Sequence, residues 1–162
     1  MIIRQALIND AEEIINIYNW YIENTAITFE TKKISADDMK QRISKNLTEY
    51  EWLVCEVEGK VIGYAYYSSF RAREAYKHTA ESTIYISNDY KNKGFGSILY
   101  ERLFRIAKKK GIREIIGIVS LPNNESVSFH HKQGFKDIGV LRKVGYKFGK
   151  YIDIVILQKT IK

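Results

Sequence analysis

The stretch Ser87-Asn88-Asp89-Tyr90-Lys91-Asn92-Lys93-Gly94-Phe95-Gly96-Ser97-Ile98-Leu99 decides how this chain reads. Before it, residues 78–87 alternate as a strand does, with Thr79, Glu81, Thr83 and Tyr85 on one face. After it, residues 94–110 predict a long helix, with Ile98, Leu99, Leu103, Phe104, Ile106 and Ala107 as its apolar stripe. Lys108, Lys109 and Lys110 suit the negative end of the helix dipole, and Gly111 supplies the stop. The join is therefore strand, glycine loop, helix. At a helix start the first backbone N–H groups point outward and the dipole favours negative charge. Gly94 and Gly96 let a ligand approach the backbone closely, and Lys91 and Lys93 add positive charge. The same residues also fit a plain helix start whose glycines serve only the turn. Two familiar nucleotide loops are excluded. No Gly-Lys-Ser/Thr follows at P-loop spacing, and Leu99 stands where a dinucleotide fingerprint needs its third glycine.

Working outward, strand-like and helix-like segments alternate along the whole chain. Residues 1–7 read as a strand. Asn9 with Glu12 predicts an N-cap for a helix over about 9–24, carrying Ile14, Ile15, Ile17, Tyr18, Tyr21 and Ile22 at helical spacing. Ser35 with Asp38 opens a more polar helix to about residue 48. Residues 52–57 and 61–70 are strands around the turn Glu58-Gly59-Lys60. Residues 113–120 form a buried-looking strand, 123–133 a short helix, and about 135–143 and 151–159 two further strands. No internal repeat or linker interrupts this mixed α/β pattern, so residues 1–162 read as one domain.

Composition agrees. The 162 residues are 45% hydrophobic and 28% charged, ordinary for a globular domain. Lysine and arginine number 26 against 19 acidic residues, a net charge of +7 that points to an anionic partner. That charge alone does not choose between nucleic acid, a membrane surface and a phosphorylated small molecule. Cys55 is the single cysteine, so no intramolecular disulfide forms and a disulfide scaffold is excluded. The N-terminus lacks a basic-then-apolar leader and no apolar run approaches the ~20 residues of a membrane span. The expectation is a cytoplasmic protein that contacts no membrane.

With the loop 91–96 in its strand–helix setting, the chain resembles the GNAT acyl-CoA N-acyltransferases. Their loop is [Gln/Arg]-x-x-Gly-x-[Gly/Ala], and Lys91 keeps the charge of the usual first residue. A narrower resemblance rests on three segments. The first runs from Gly63-Tyr64 through Tyr76 and Glu81-Ser82-Thr83 to Tyr90. The second is Leu121-Pro122-Asn123-Asn124-Glu125-Ser126 through Gly134-Phe135, and the third is Gly145-Tyr146-Lys147 through Asp153. Together with Thr28-Phe29, these are similar to the phosphinothricin acetyltransferase branch, which N-acetylates glutamate-like amino acids. The resemblance implies a single-domain GNAT fold of α+β type, with a mixed, largely antiparallel sheet flanked by helices. The strands before and after the long helix should splay to admit acetyl-CoA as co-substrate. It implies that Lys91, Asn92, Lys93, Gly94, Phe95, Gly96 and Ser97 cradle the pyrophosphate. Backbone at Ile84 and Ile86, and side chains of Asn123 and Ser126, would hold the pantetheine arm. It also implies a homodimer with residues 145–153 near the partner.

Acetyl transfer to an amine needs a base, a polarised carbonyl and a proton for the departing thiolate. Glu81 is the candidate base, a carboxylate in mid-strand where one is unusual. By itself it reads equally as a solvent-facing or lysine-paired glutamate; the resemblance assigns it the proton. His130 is the candidate acid, where the wider superfamily often has tyrosine. Arg71 and Arg73 carry forks suited to a carboxylate or phosphinate, and the resemblance puts Arg73 and Tyr76, with Phe29, on the acceptor side. No metal is expected. Cys55 has no histidine or arginine nearby in sequence to activate it and reads as a core residue rather than an acyl carrier. The expected activity is direct acetylation of the α-amine of a small anionic amino acid. A protein N-terminus, lysine or polyamine acceptor is the alternative, against which Arg71, Arg73 and Lys147 argue; a nucleic-acid-binding module is a remote one, because the basic residues form no single stripe.

Overall fold

The computed structural model describes residues 1–161. Strands β1 (Ile2–Gln5), β2 (Glu51–Val57), β3 (Lys60–Ser69), β4 (Thr79–Ile86), β5 (Glu114–Leu121), β6 (Lys136–Lys147) and β7 (Lys150–Thr160) form one open sheet in the order β1-β2-β3-β4-β5-β7-β6. Helices α1 (Ala11–Asn24), α2 (Ala36–Leu47), α3 (Phe95–Lys109) and α4 (Asn124–Lys132) cover its two faces. Every neighbouring pair is antiparallel except β4 and β5, which the α3 crossover makes parallel.

Alternation along the strands divides the core in two. On one face, Ile14 and Ile17 of α1 and Met39 and Ile43 of α2 pack on Trp52, Val54 and Tyr64. On the other, Leu99, Tyr100 and Leu103 of α3 pack on Leu53, Tyr67, Ala80 and Ile115. The stripe of α3 is turned slightly from the sequence expectation: Ile98 is 41% exposed, and Tyr100 is fully buried in its stead.

Local signals explain most element ends. The Ser35 hydroxyl accepts from the Asp38 N–H while Asp38 reaches back to the Ser35 N–H, the reciprocal cap that opens α2. The start of α1 differs from the Asn9 cap. Residues Ile8–Asp10 make a 3-10 turn, and the helix begins at Ala11. Asp10 organises that turn by accepting the Leu7 N–H at 2.7 Å and both arms of Arg4 at 2.7 and 2.9 Å. Strand β6 runs past residue 143 to Lys147, because a bulge with Lys143 at φ 58° absorbs the break in alternation. The Lys143 N–H there donates to Asp153 at 2.7 Å.

The β4–β5 ladder is the feature that makes the site. It pairs only Thr79 with Glu114, Ala80 with Ile115 and Glu81 with Ile116. Beyond Glu81 the two strands part.

Burial pushes the Asp10 carboxyl up, but the hydrogen bonds from Arg4 and the Leu7 N–H outweigh it and hold the group below its ordinary value. A depressed folded pKa stabilises above the unfolded pKa, and the contribution disappears as pH falls through the folded one. Asp10→Asn is expected to lower stability by about 1–3 kcal/mol at pH 7. The gap between parent and variant should close below about pH 4, as measured by urea unfolding across pH.

Candidate active site

Where β4 and β5 separate, a slot of about 500 Å³ opens between Ile84 and Ile86 of β4, the loop before α3, and the start of α4. Each glycine of the loop has a physical reason. Gly94 sits at φ +86°, a left-handed conformation that L side chains rarely adopt. A Cβ on Gly96 would lie 3.3 Å from the Phe129 ring and 3.6 Å from Ile84, so a side chain there would press on α4 and Phe129 would have to give by a few tenths of an ångström. The α3 N-terminus thus faces the slot with Lys91, Asn92, Phe95 and Ser97 beside it. Lys91 rests over the rings of Trp20 and Tyr21, with Nζ 5.5 and 5.1 Å from their centroids. Lys93 alone of the expected loop residues turns away. Its Nζ donates to the Asp89 carbonyl at 2.9 Å and lies over Tyr90.

Asn123 and Ser126 stand where this slot meets a second, inner cavity of about 280 Å³. Asn123 caps α4 by accepting the Ser126 N–H at 3.1 Å. Its buried Nδ2 has no hydrogen-bond partner among the described residues, an unused donor at the junction. An anion-ready helix start, a glycine cradle, an open strand edge and a free amide donor suit a diphosphate joined to an amide-bearing arm. The residues present fit acetyl-CoA.

The inner cavity is lined by Glu81, Thr83, Tyr85, Tyr18, Tyr66 and Phe29 on one side, and by Ser82, Tyr100 and His130 on the other. Glu81 has no hydrogen bond or ion pair among the described residues, and desolvation alone pushes its carboxyl above the ordinary glutamate value. A carboxylate in that state is a better proton acceptor for an ammonium than a solvated one. His130 is 5% exposed. Its Nδ1–H donates to the Ser126 carbonyl at 2.8 Å, and Nε2 faces the Tyr100 hydroxyl at 3.4 Å, itself 3.2 Å from Ser82 Oγ. Burial pushes the ring below its usual pKa, against the opposing effect of the Ser126 carbonyl. Because Nδ1 keeps its proton for the helix, the proton that comes and goes is the one on Nε2. The ring fits closely, since a Cβ on Gly117 would come within 3.1 Å of it.

The cavity thus brings together Glu81, His130 and Phe29 with Asn123, Ser126 and Ile84. Arg71, Arg73 and Tyr76 lie elsewhere, on the exposed loop between β3 and β4, where Phe70 packs edge-on against Tyr76 and Arg71 covers Phe70. That loop leaves the sheet at the Ser69–Ala80 pair, one register position from Glu81. Tyr100, Ser82, Tyr18 and Tyr66 are site residues that the sequence does not single out. Tyr100 carries a faint signal, as a phenol inside an apolar helical stripe. Lys147 is 3% exposed; its Nζ donates to the Thr28 carbonyl at 2.9 Å, and no carboxylate pairs with it among the described residues.

The family signature described as "Acetyltransferase (GNAT) domain" matches residues 3–156. The chain is 36% identical over 160 residues to a phosphinothricin N-acetyltransferase of Streptomyces viridochromogenes, covering 99% of this chain and 87% of that one. It is 32% identical to an L-methionine sulfoximine/L-methionine sulfone acetyltransferase of Pseudomonas aeruginosa, covering 98% and 94%. Its fold superposes with a TM-score of 0.94 on a GNAT phosphinothricin acetyltransferase of Sinorhizobium meliloti solved in complex with acetyl-CoA, at 31% identity over 99% of this chain and 88% of that one. The glycine cradle, the parted strands and these likenesses lead to one conclusion: the chain belongs to the GNAT acetyltransferases, as an N-acetyltransferase of the phosphinothricin branch with acetyl-CoA as its co-substrate.

Proposed function

We propose that the chain transfers acetyl from acetyl-CoA directly to the α-amine of a small amino acid carrying a second anionic group, of the phosphinothricin, methionine sulfoximine or methionine sulfone type. The observation that carries this reading is Glu81, a desolvated carboxylate without a partner among the described residues, facing an amino-acid-sized cavity that joins the acetyl-CoA slot. Acetyl-CoA supplies the activated acetyl thioester. The α3 N-terminus with Lys91 takes its phosphates, the open edge of β4 at Ile84 and Ile86 meets its arm, and Asn123 and Ser126 hold that arm at the cavity mouth. Glu81 removes the ammonium proton, freeing the lone pair for attack. His130, protonated at Nε2, returns a proton to the thiolate, whose ordinary pKa near 8.5 makes it a willing acceptor. The Tyr100 hydroxyl, 3.4 Å from Nε2, supports placing the mobile proton on that nitrogen.

Direct transfer is supported by the setting of Cys55, which is fully buried in the α3-side core with its thiol pushed up by desolvation. An anionic acceptor is supported by the relatives' activities and by the unpaired ammonium of Lys147 behind Thr28. Arg73, helped by Arg71 and Tyr76, meets the acceptor's anion from the β3–β4 loop, and Phe29 closes the pocket. A homodimer accounts for the apolar edge of the sheet, where Ile138, Val140, Val144, Tyr146 and Tyr151 are each at least 50% exposed. A cytoplasmic setting fits the need for acetyl-CoA and the single free thiol.

Glu81→Gln keeps shape and removes the base, so kcat with methionine sulfone should fall about 10²–10⁴-fold. The parent's rising acidic limb, set above the ordinary glutamate range, should vanish in the variant. An unchanged limb assigns the proton elsewhere. For His130→Ala, the ratio of parent to variant kcat should be largest at the acidic end and shrink as pH rises through a pKa below 6.5, because the imidazolium is then lost; a ratio flat in pH contradicts the acid role. Arg73→Ala should raise KM for the amino acid about 10–100-fold, the loss of one charged hydrogen-bonded contact, and leave KM for acetyl-CoA alone. Steady-state kinetics decide this, and the reverse pattern would put the arginine on the other substrate.

A further inference from the structure

Helix α1 carries two adjacent aromatic residues, Trp20 and Tyr21, whose rings meet the loop before α3. The two rings pack edge-on, with centroids 5.2 Å apart and planes at 87°. The Lys91 ammonium stands in the angle between them, 5.5 Å from the Trp20 centroid and 5.1 Å from that of Tyr21, both within cation–π range. Lys91 has no hydrogen bond or ion pair among the described residues, whereas the Lys93 ammonium is taken by the Asp89 carbonyl. The difference matters at an anion site. A carboxylate partner would cancel the charge that a phosphate needs. A ring face attracts the ammonium through its quadrupole and carries no net charge, so the ammonium can rest on the rings and still meet a phosphate.

The platform is also tied to the slot itself. Tyr21 is 4% exposed, lines the slot and packs against Tyr85 with centroids 5.0 Å apart. Its hydroxyl donates to the Ile86 carbonyl at 2.6 Å. The Ser87 N–H donates across to the Ile62 carbonyl at 2.8 Å, so the neighbouring Ile86 backbone groups point away from β3, toward the edge that lines the slot. One residue therefore fixes both the ammonium at the rim and a carbonyl of the open strand edge.

We infer that Trp20 and Tyr21 are positioning residues for acetyl-CoA, whose ring faces hold the Lys91 ammonium at the slot rim with its charge free for the pyrophosphate. The inference rests on the reading of residues 91–97 as the pyrophosphate cradle. It makes affinity for the co-substrate depend on a helix outside the loop, and the contribution of Trp20 must pass through Lys91.

Calorimetric titration of acetyl-CoA into the parent, Trp20→Leu, Trp20→Phe, Lys91→Ala and the Trp20→Leu/Lys91→Ala pair tests this without turnover. Trp20→Leu keeps apolar bulk and removes the ring face; it should weaken acetyl-CoA about 2–5-fold, the worth of one exposed cation–π contact. Trp20→Phe keeps a ring face and should restore most of that loss. Lys91→Ala should weaken binding about 10-fold or more, as loss of a charged contact does, and in its background Trp20→Leu should add nothing. KM for the amino acid should not move in any variant. Trp20 is 37% exposed, and an unchanged melting temperature without ligand shows that its variants are folded. In the free parent, proton NMR should place the Lys91 ε-methylene upfield through the ring currents, and Trp20→Leu should reduce that displacement. If Lys91→Ala leaves acetyl-CoA affinity intact, the cradle reading falls at Lys91 and the platform with it. If Lys91→Ala weakens binding while Trp20→Leu has no effect, tightens it, or weakens it equally with and without Lys91, the cradle stands and the platform is overturned. An undisplaced Lys91 signal in the parent overturns the platform as well.

Discussion

Two neighbouring strands that hydrogen-bond for three residues and then diverge are the constraint on which this molecule depends. Parallel β4 and β5 are held together at Thr79–Glu81 by the ladder to Glu114–Ile116 and forced apart beyond it. Divergence strips ladder partners from one edge of β4 and exposes backbone that an incoming ligand can meet. It also leaves Glu81 at the last paired position, half-buried and facing a cavity instead of a neighbouring side chain. Desolvation raises the Glu81 carboxyl above its ordinary value at the position where the sheet opens.

The rest of the architecture supports that opening. Helix α3 begins opposite the gap, so its free N–H groups and dipole aim at the slot. Gly96 lets α3 approach Phe129, and Gly117 lets β5 approach His130, so two glycines draw α3 and α4 into contact with the site. Buried Tyr100 and Ser82 then continue the polar line from His130 across the α3 face. On the opposite face Tyr18, Tyr66 and Tyr85 line the inner cavity.

The glycine loop is legible in the sequence as a helix start, and Glu81 and His130 stand out there as a carboxylate in a strand and a histidine one turn before a glycine stop; the parting of the strands is legible only through the family resemblance. What depends on rotation about an axis, or on a partner far along the chain, is not. The α3 stripe reads with Ile98 inward, whereas the sheet takes Tyr100 and leaves Ile98 at the surface. Lys93 reads as part of the phosphate cradle, but the 3-10 turn at Asn88–Tyr90 brings the Asp89 carbonyl within its reach. The Asn9 cap loses to Asp10, whose binding by Arg4 is set by tertiary packing. Strand β6 reads short because a residue with φ near +58° disrupts alternation without ending the ladder.

Glu81 stands where β4 and β5 part, a desolvated carboxylate without a partner among the described residues. Carbon-13 NMR titration of the glutamate side-chain carboxyls, with Glu81→Gln to assign the signal, measures this directly. The Glu81 pKa is expected above the ordinary glutamate range and above those of the surface glutamates in the same spectra. A value at or below theirs would contradict this, because it would mean that the carboxyl is solvated or paired.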